Sequence, residues 1–269
     1  MILDVLFTTA ALSLIIALRY AAVAALTHAL LWSGRGRGRR LSRRDPDPAR
    51  MRGEAWASLA SSPIYALPAA VLIELWKRGG TAVYEDVQQW PLWWLPASFV
   101  VFVLAQDAYY YFLHRALHHP RLFAWTHAGH HRSKDPSAWA SFAFDPAEAA
   151  LTAWFLPALA LFVPVHVGVI AALLTLMTAA AVLNHAGREV WPEAWLRSAP
   201  LKWLITAEHH DLHHKRFACN YGLYFRYWDR LFGTDRPPEE ERQASSTAMA
   251  TASPPPMHRE ATPLLPPRA

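Results

Sequence analysis

Ten of the 14 histidines in this chain fall in two short windows. The first reads His114-Arg-Ala-Leu-His118-His119 and then His127-Ala-Gly-His130-His131. The second reads His209-His210-Asp-Leu-His213-His214, and Asn184-His185 stands between them. A single histidine at a membrane boundary is ordinarily an interfacial polar residue. Ten gathered this closely are different: without a metal they repel one another on protonation or leave buried ring nitrogens unpaired. Metal binding is therefore expected. Imidazole suits zinc, copper, iron and nickel. One structural zinc takes four ligands and one catalytic zinc three, so nine or ten histidines fit two ions with positions left open. His28, His166 and His258 lie outside the windows and are read as bystanders.

The spacing says which elements must carry these rings. His114 and His118 are four residues apart and share one face of a helix. His127, His130 and His131, and likewise His210, His213 and His214, follow an i, i+3, i+4 pattern that also makes one helical face. His185 is expected at the end of a helix. Asp107, two turns before His114, is a candidate acceptor for an imidazole N–H that would fix its tautomer; Asn184 and Asp211 are candidates for the same work. Tyr109, Tyr110 and Tyr111 are read as boundary aromatics rather than redox residues. Asn220-Tyr-Gly222 is expected to turn, with Gly222 allowing positive φ. Cys219 is read as a small buried apolar residue.

The helices themselves are legible as apolar segments. Hydrophobic residues make up 53% of the 269 and charged residues 17%, below the roughly 25% of soluble domains. Residues 5–32, 57–76 and 91–113 are candidate membrane spans, the last opened by Trp90, Trp93 and Trp94 as an interfacial belt. The first segment is read as a span and not a cleaved signal, being too long and lacking a basic lead-in. Residues 149–165 and 167–184 form a pair that spans or dips in. Residues 33–55 carry eight Arg (35, 37, 39, 40, 43, 44, 50, 52) against Asp45, Asp47 and Glu54, an excess equal to the +5 of the whole chain. Flanked by apolar segments, this run reads as a cytoplasmic loop, not a nucleic-acid patch. Counting crossings from it puts His114, His185 and everything after them on the same cytoplasmic side. One cysteine excludes a disulfide framework and Cys-rich metal sites.

Three boxes of the form HxxxH, HxxHH and HxxHH, set after apolar helices, resemble the fatty acid hydroxylase/sterol desaturase superfamily of membrane di-iron oxidases. The resemblance runs from about Trp93 to Thr234. It includes Asp107-Ala-Tyr-Tyr-Tyr-Phe-Leu-His114-Arg115, Leu117-His118-His119-Pro120, Asn220-Tyr-Gly222 and the closing Trp228-Asp-Arg-Leu-Phe-Gly-Thr234. The resemblance implies an all-α integral membrane protein of four to five transmembrane helices with a cytosolic histidine-rich helical cap. It divides the chain into N-terminal membrane helices with an Arg-rich loop (1–90), a catalytic domain (91–236) and a disordered tail (237–269). It implies His114, His118, His127, His130, His131, His185, His210, His213 and His214 as ligands to two iron ions, zinc being able to substitute in preparations. A tenth position is open to His209, His119 or Glu189, with His209 preferred. The activity implied is O2-dependent desaturation or hydroxylation of a bilayer lipid, a sterol first, with fatty acyl, carotenoid or alkylglycerol chains as alternatives. No haem domain or dinucleotide motif is present, so electrons are expected from a separate cytochrome b5-like or ferredoxin-type protein. The non-redox alternative is a zinc-dependent membrane hydrolase, although no HExxH occurs.

Overall fold

A computed structural model describes residues 1–33, 38–198 and 201–239. Arg35 and Arg37 of the basic loop, and the tail from residue 240 with His258, lie outside the described residues. Residues Met1–Asp235 form one compact unit. It is mostly helical: α1 (Ile2–Trp32), α2 (Pro48–Trp76), α3 (Trp94–Leu117), α4 (Pro120–Thr126), α5 (Pro146–Ala153), α6 (Phe155–Ala160), α7 (Val167–Asn184), α8 (Glu193–Leu196), α9 (Ala207–Arg216) and α10 (Tyr227–Leu231). Four two-residue strands, β1 (Arg39–Arg40), β2 (Val83–Tyr84), β3 (Val165–His166) and β4 (Arg188–Glu189), tie the helix ends together.

Among the described residues three helices, α1, α2 and α7, are long and apolar enough to cross a membrane. On α1 the side chains of Ile2, Leu3, Leu6, Phe7, Leu14, Ile15 and Leu18 are all 57–77% exposed. So continuous an apolar surface suits hydrocarbon and not water, and the fold is that of a membrane protein. Helix α2 packs against α1 and starts at Asp47, whose carboxylate accepts from the Ala49 N–H ahead of Pro48. It runs on through Pro63 and Pro68. Its Glu74 is met near the helix end by the Thr8 hydroxyl and Lys77, both at 2.7 Å.

The expected count of four to five spans is not reached by these elements. Helix α3 covers the expected 91–113 segment but carries Gln106 and Asp107 at mid-length and is not among the three. The 149–165 segment breaks into α5 and α6 of eight and six residues, well short of the roughly 20 needed to span.

The two helix ends are distinct. At one, β1 pairs antiparallel with β4 in the register Arg39↔Glu189 and Arg40↔Arg188, and Arg39 also bridges to Glu208. At the other, β2 pairs in parallel with β3, and the Trp94 indole donates to the Pro164 carbonyl at 2.9 Å. The histidine boxes follow the C-termini of α3 and α7, at the end that holds β1 and β4. A core of Phe102, Val103, Ala160, Val165, Val169 and Leu173 locks α3, α6 and α7 together and so fixes the platform on which the boxes sit.

Candidate metal centre

Nine imidazoles meet in two groups. His114, His118, His127, His131 and His213 form one; His130, His185, His210 and His214 form the other; within each group the potential ligand atoms lie within 4.8 Å of one another. The groups adjoin, with the His131 and His214 ring centroids 4.7 Å apart. All nine positions named from the sequence are present. The route to them differs from the expected shared faces. His127 ends α4 and His130 opens a single 3-10 turn, so these rings fan apart: His127 and His131 enter the first group, His130 the second. Helix α9 straddles both. Its His210 and His214 lie one above the other, and His213 points to the first group.

Backbone carbonyls decide which ring nitrogen faces inward. The Nδ1–H groups of His114, His130, His185 and His213 donate to the carbonyls of Tyr221 (2.9 Å), Ala143 (3.3 Å), Ala181 (2.8 Å) and Cys219 (2.7 Å). A carbonyl only accepts, so the proton sits on Nδ1 and Nε2 presents a lone pair. Yet the Nε2 atoms of His130 and His185 stand 3.4 Å apart. Two inward lone pairs facing one another in a buried site need a cation between or beside them. The donor set therefore fits a metal: all-imidazole, neutral and pre-oriented. Burial and neighbouring rings hold His118 and His131 down at about 2, and burial holds His185 down to about 4, so these rings stay neutral and available as ligands.

His209 falls outside both groups. Its Nδ1 meets the Thr206 hydroxyl at 3.0 Å, because it points away from the face of α9 that carries His210 and His214. His119 accepts from the Arg121 N–H at the start of α4, and Glu189 accepts from the backbone N–H groups of Trp191 and Glu208. No described residue fills a tenth position. Cys219 is buried and serves through its carbonyl.

Asp107 does not meet an imidazole. Its carboxylate accepts the backbone N–H groups of Tyr224 (2.8 Å) and Phe225 (3.2 Å), so it anchors the loop after α9. Asn184 reaches the same loop, 3.5 Å from the Leu223 carbonyl, and Asp211 pairs with Lys215 at 2.6 Å, its carboxyl pushed up to about 6 by burial. Positive φ falls at Asn220 (56°), not Gly222. Gly222 is required instead for close approach: a Cβ there would stand 2.5 Å from the Phe225 carbonyl oxygen. Tyr109, Tyr110 and Tyr111 are not one boundary cluster. Tyr109 stacks on Phe155, Tyr110 lies 5.1 Å from His114, and Tyr111 is fully buried against the Thr234 hydroxyl.

Two acids that spacing did not single out support the groups. Glu148 on α5 stands 2.6 Å from His127 Nδ1, both side chains buried. Asp229 on α10 accepts the N–H groups of Tyr221 and Gly222, each at 2.8 Å, and the Thr234 hydroxyl at 2.7 Å. It thereby holds the Tyr221 carbonyl that orients His114. One signal for Glu148 was available: it is the lone acid in the apolar run from Pro146 to Val163.

A largely apolar cavity lies between α3, α5, α6 and α7, and His185 and His210 form part of its wall. Its wall includes Tyr65, Tyr110, Phe155, Met177 and Leu223. Phe123, Phe144 and Phe217 pack against the rings of His118, His130 and His131, of which His118 stays partly exposed.

The model of the fatty acid hydroxylase family matches residues 99–234. A Delta(7)-sterol 5(6)-desaturase of Gibberella zeae is 28% identical over 164 residues, which cover 61% of this chain and 49% of that protein. A lathosterol oxidase of Rattus norvegicus is 30% identical over 187 residues, 69% of this chain and 61% of that one. A methylsterol monooxygenase 1 of Rattus norvegicus is 32% identical over 153 residues, 56% of this chain and 50% of that one. The chain spans about half to three fifths of the length of these relatives. No solved structure matches it.

Proposed function

Because the chain belongs to the fatty acid hydroxylase family, we propose that it is a membrane-bound di-iron oxidase that desaturates or hydroxylates a lipid, a sterol first. The observation that carries this reading is the pair of imidazole groups, one of which places His185 and His210 in the wall of an apolar cavity. His114, His118, His127, His131 and His213 would hold one iron, and His130, His185, His210 and His214 the other. Bound iron supplies the activation of O2 that an unactivated C–H bond requires.

The rest of the work belongs to the chain. Four carbonyls and one carboxylate set the orientations of five of the nine imidazoles, and three phenylalanines pack against the rings. The cavity holds an apolar substrate with one segment against His185 and His210, where small displacements decide which hydrogen is lost. Electrons come from a separate cytochrome b5-like or ferredoxin-type protein. Helix α3 serves as a fourth crossing, the β1–β4 end faces the cytoplasm, and the histidine groups lie there. The sterol reading draws on the relatives named as acting on sterols; the cavity itself suits any long apolar ligand. The hydrolase alternative finds less support: Glu148, the acid beside the rings, faces an Nδ1 edge and not the inward Nε2 atoms.

The test is lipid profiling of cells with and without the chain, followed by assay of the purified protein with O2 and a reductant. A lipid that gains a double bond or hydroxyl only when both are supplied supports the proposal. Turnover without O2 contradicts it.

A further inference from the structure

The five-histidine group differs from the other in how one of its rings is held. Every other described Nδ1 partner in the two groups is a neutral carbonyl. His127 alone has a carboxylate, Glu148, at 2.6 Å. The pair is almost completely buried, at 0% and 1% side-chain exposure. The second oxygen, Oε1, is buried with no hydrogen-bond partner. An unpaired carboxylate oxygen in apolar surroundings is costly unless a positive charge lies nearby. His127 Nε2, on the far side of the ring, is 3.0 Å from His114 Nε2, where the first group converges.

We propose that Glu148 is a positioning residue for the five-histidine group. It holds the His127 proton on Nδ1, aims Nε2 at the metal and makes this ring the strongest donor of the nine. The two metal positions are thereby unequal: one is strengthened by a carboxylate behind a ligand, and the other relies on neutral carbonyls and opens to the cavity. Carboxylates behind metal-bound histidines set metal affinity, their loss typically costing about 10–100-fold. The inference rests on the two-metal reading above.

The test uses the full detergent-solubilised chain and cobalt(II) alone as probe, titrated against a competing chelator and followed by the cobalt ligand-field bands. Wild type is expected to bind in two classes. Glu148→Ala is expected to weaken one class about 10–100-fold and leave the other unchanged. Glu148→Gln, which still accepts from Nδ1–H but carries no charge, is expected to fall between them. The melting temperature of metal-free Glu148→Gln, which keeps an acceptor for the ring N–H, is expected to stay near wild type, which separates positioning from general support. Two unchanged classes in Glu148→Ala overturn the proposal, as does an equal loss in both with a lowered metal-free melting temperature. A wild type that binds no cobalt overturns this proposal and the two-metal reading together.

Discussion

At the scale of single residues, the nine ligand positions were legible because imidazoles are rare and their spacing is repeated. The residues that hold them were not, because carbonyl acceptors belong to any amino acid and leave no trace in side-chain identity. Asp107 shows the limit. Two helical turns before His114, it has the right spacing to reach a ring, yet it accepts Tyr224 and Phe225 N–H groups instead. Asp107→Ala strands two backbone donors, each at about 1–3 kcal/mol; the melting temperature is expected to fall while metal stoichiometry stays at wild type, and Asp107→Asn, which keeps an acceptor oxygen, is expected to recover most of the loss. The pH response follows from the rings. His185, held down to about 4, and His118 and His131, held down to about 2, are neutral in the fold but titrate near about 6.5 once unfolded. Between those values the unfolded chain binds more protons, so stability falls as pH is lowered. Thermal melts of the metal-free chain, taken from neutral to mildly acidic pH, are expected to show a steady drop below about 6.5, and a flat profile would contradict neutral, buried rings.

Among the elements, continuous apolar content marks out α7 and puts His185 at its end, since an 18-residue apolar run ending in Asn-His leaves few alternatives. Periodicity fails at the second box. The i, i+3, i+4 pattern implies a common face only on a continuous α-helix, and the chain from His127 to Arg132 turns too tightly for one. The second box feeds both groups across this break, and the third does so along the continuous α9. The 149–165 segment, open between spanning and dipping in, is divided at Trp154 into α5 and α6, and both pieces help to wall a cavity. Filling that cavity is expected to block substrate without touching metal. Met177→Trp should retain full metal content and lose activity by about a hundredfold; equal activity in this variant would place the substrate elsewhere.

For the whole molecule, the basic loop and the histidine boxes were assigned to one side by counting crossings. The pairing of Arg39–Arg40 with Arg188–Glu189 and the bridge from Arg39 to Glu208 put the loop beside the boxes without any appeal to a bilayer. Labelling decides which side that is. Native Cys219 is buried and gives little background, so Arg43→Cys is expected to react with an impermeant thiol reagent only from the cytoplasmic side, and Gln88→Cys, near β2, only from the other. Everything proposed for this chain depends on the two imidazole groups holding two ions. Metal analysis of the purified full chain after anaerobic reconstitution with iron(II) tests that most directly. About two irons per chain are predicted, one for each group; fewer than about one per chain in the wild type would contradict the account.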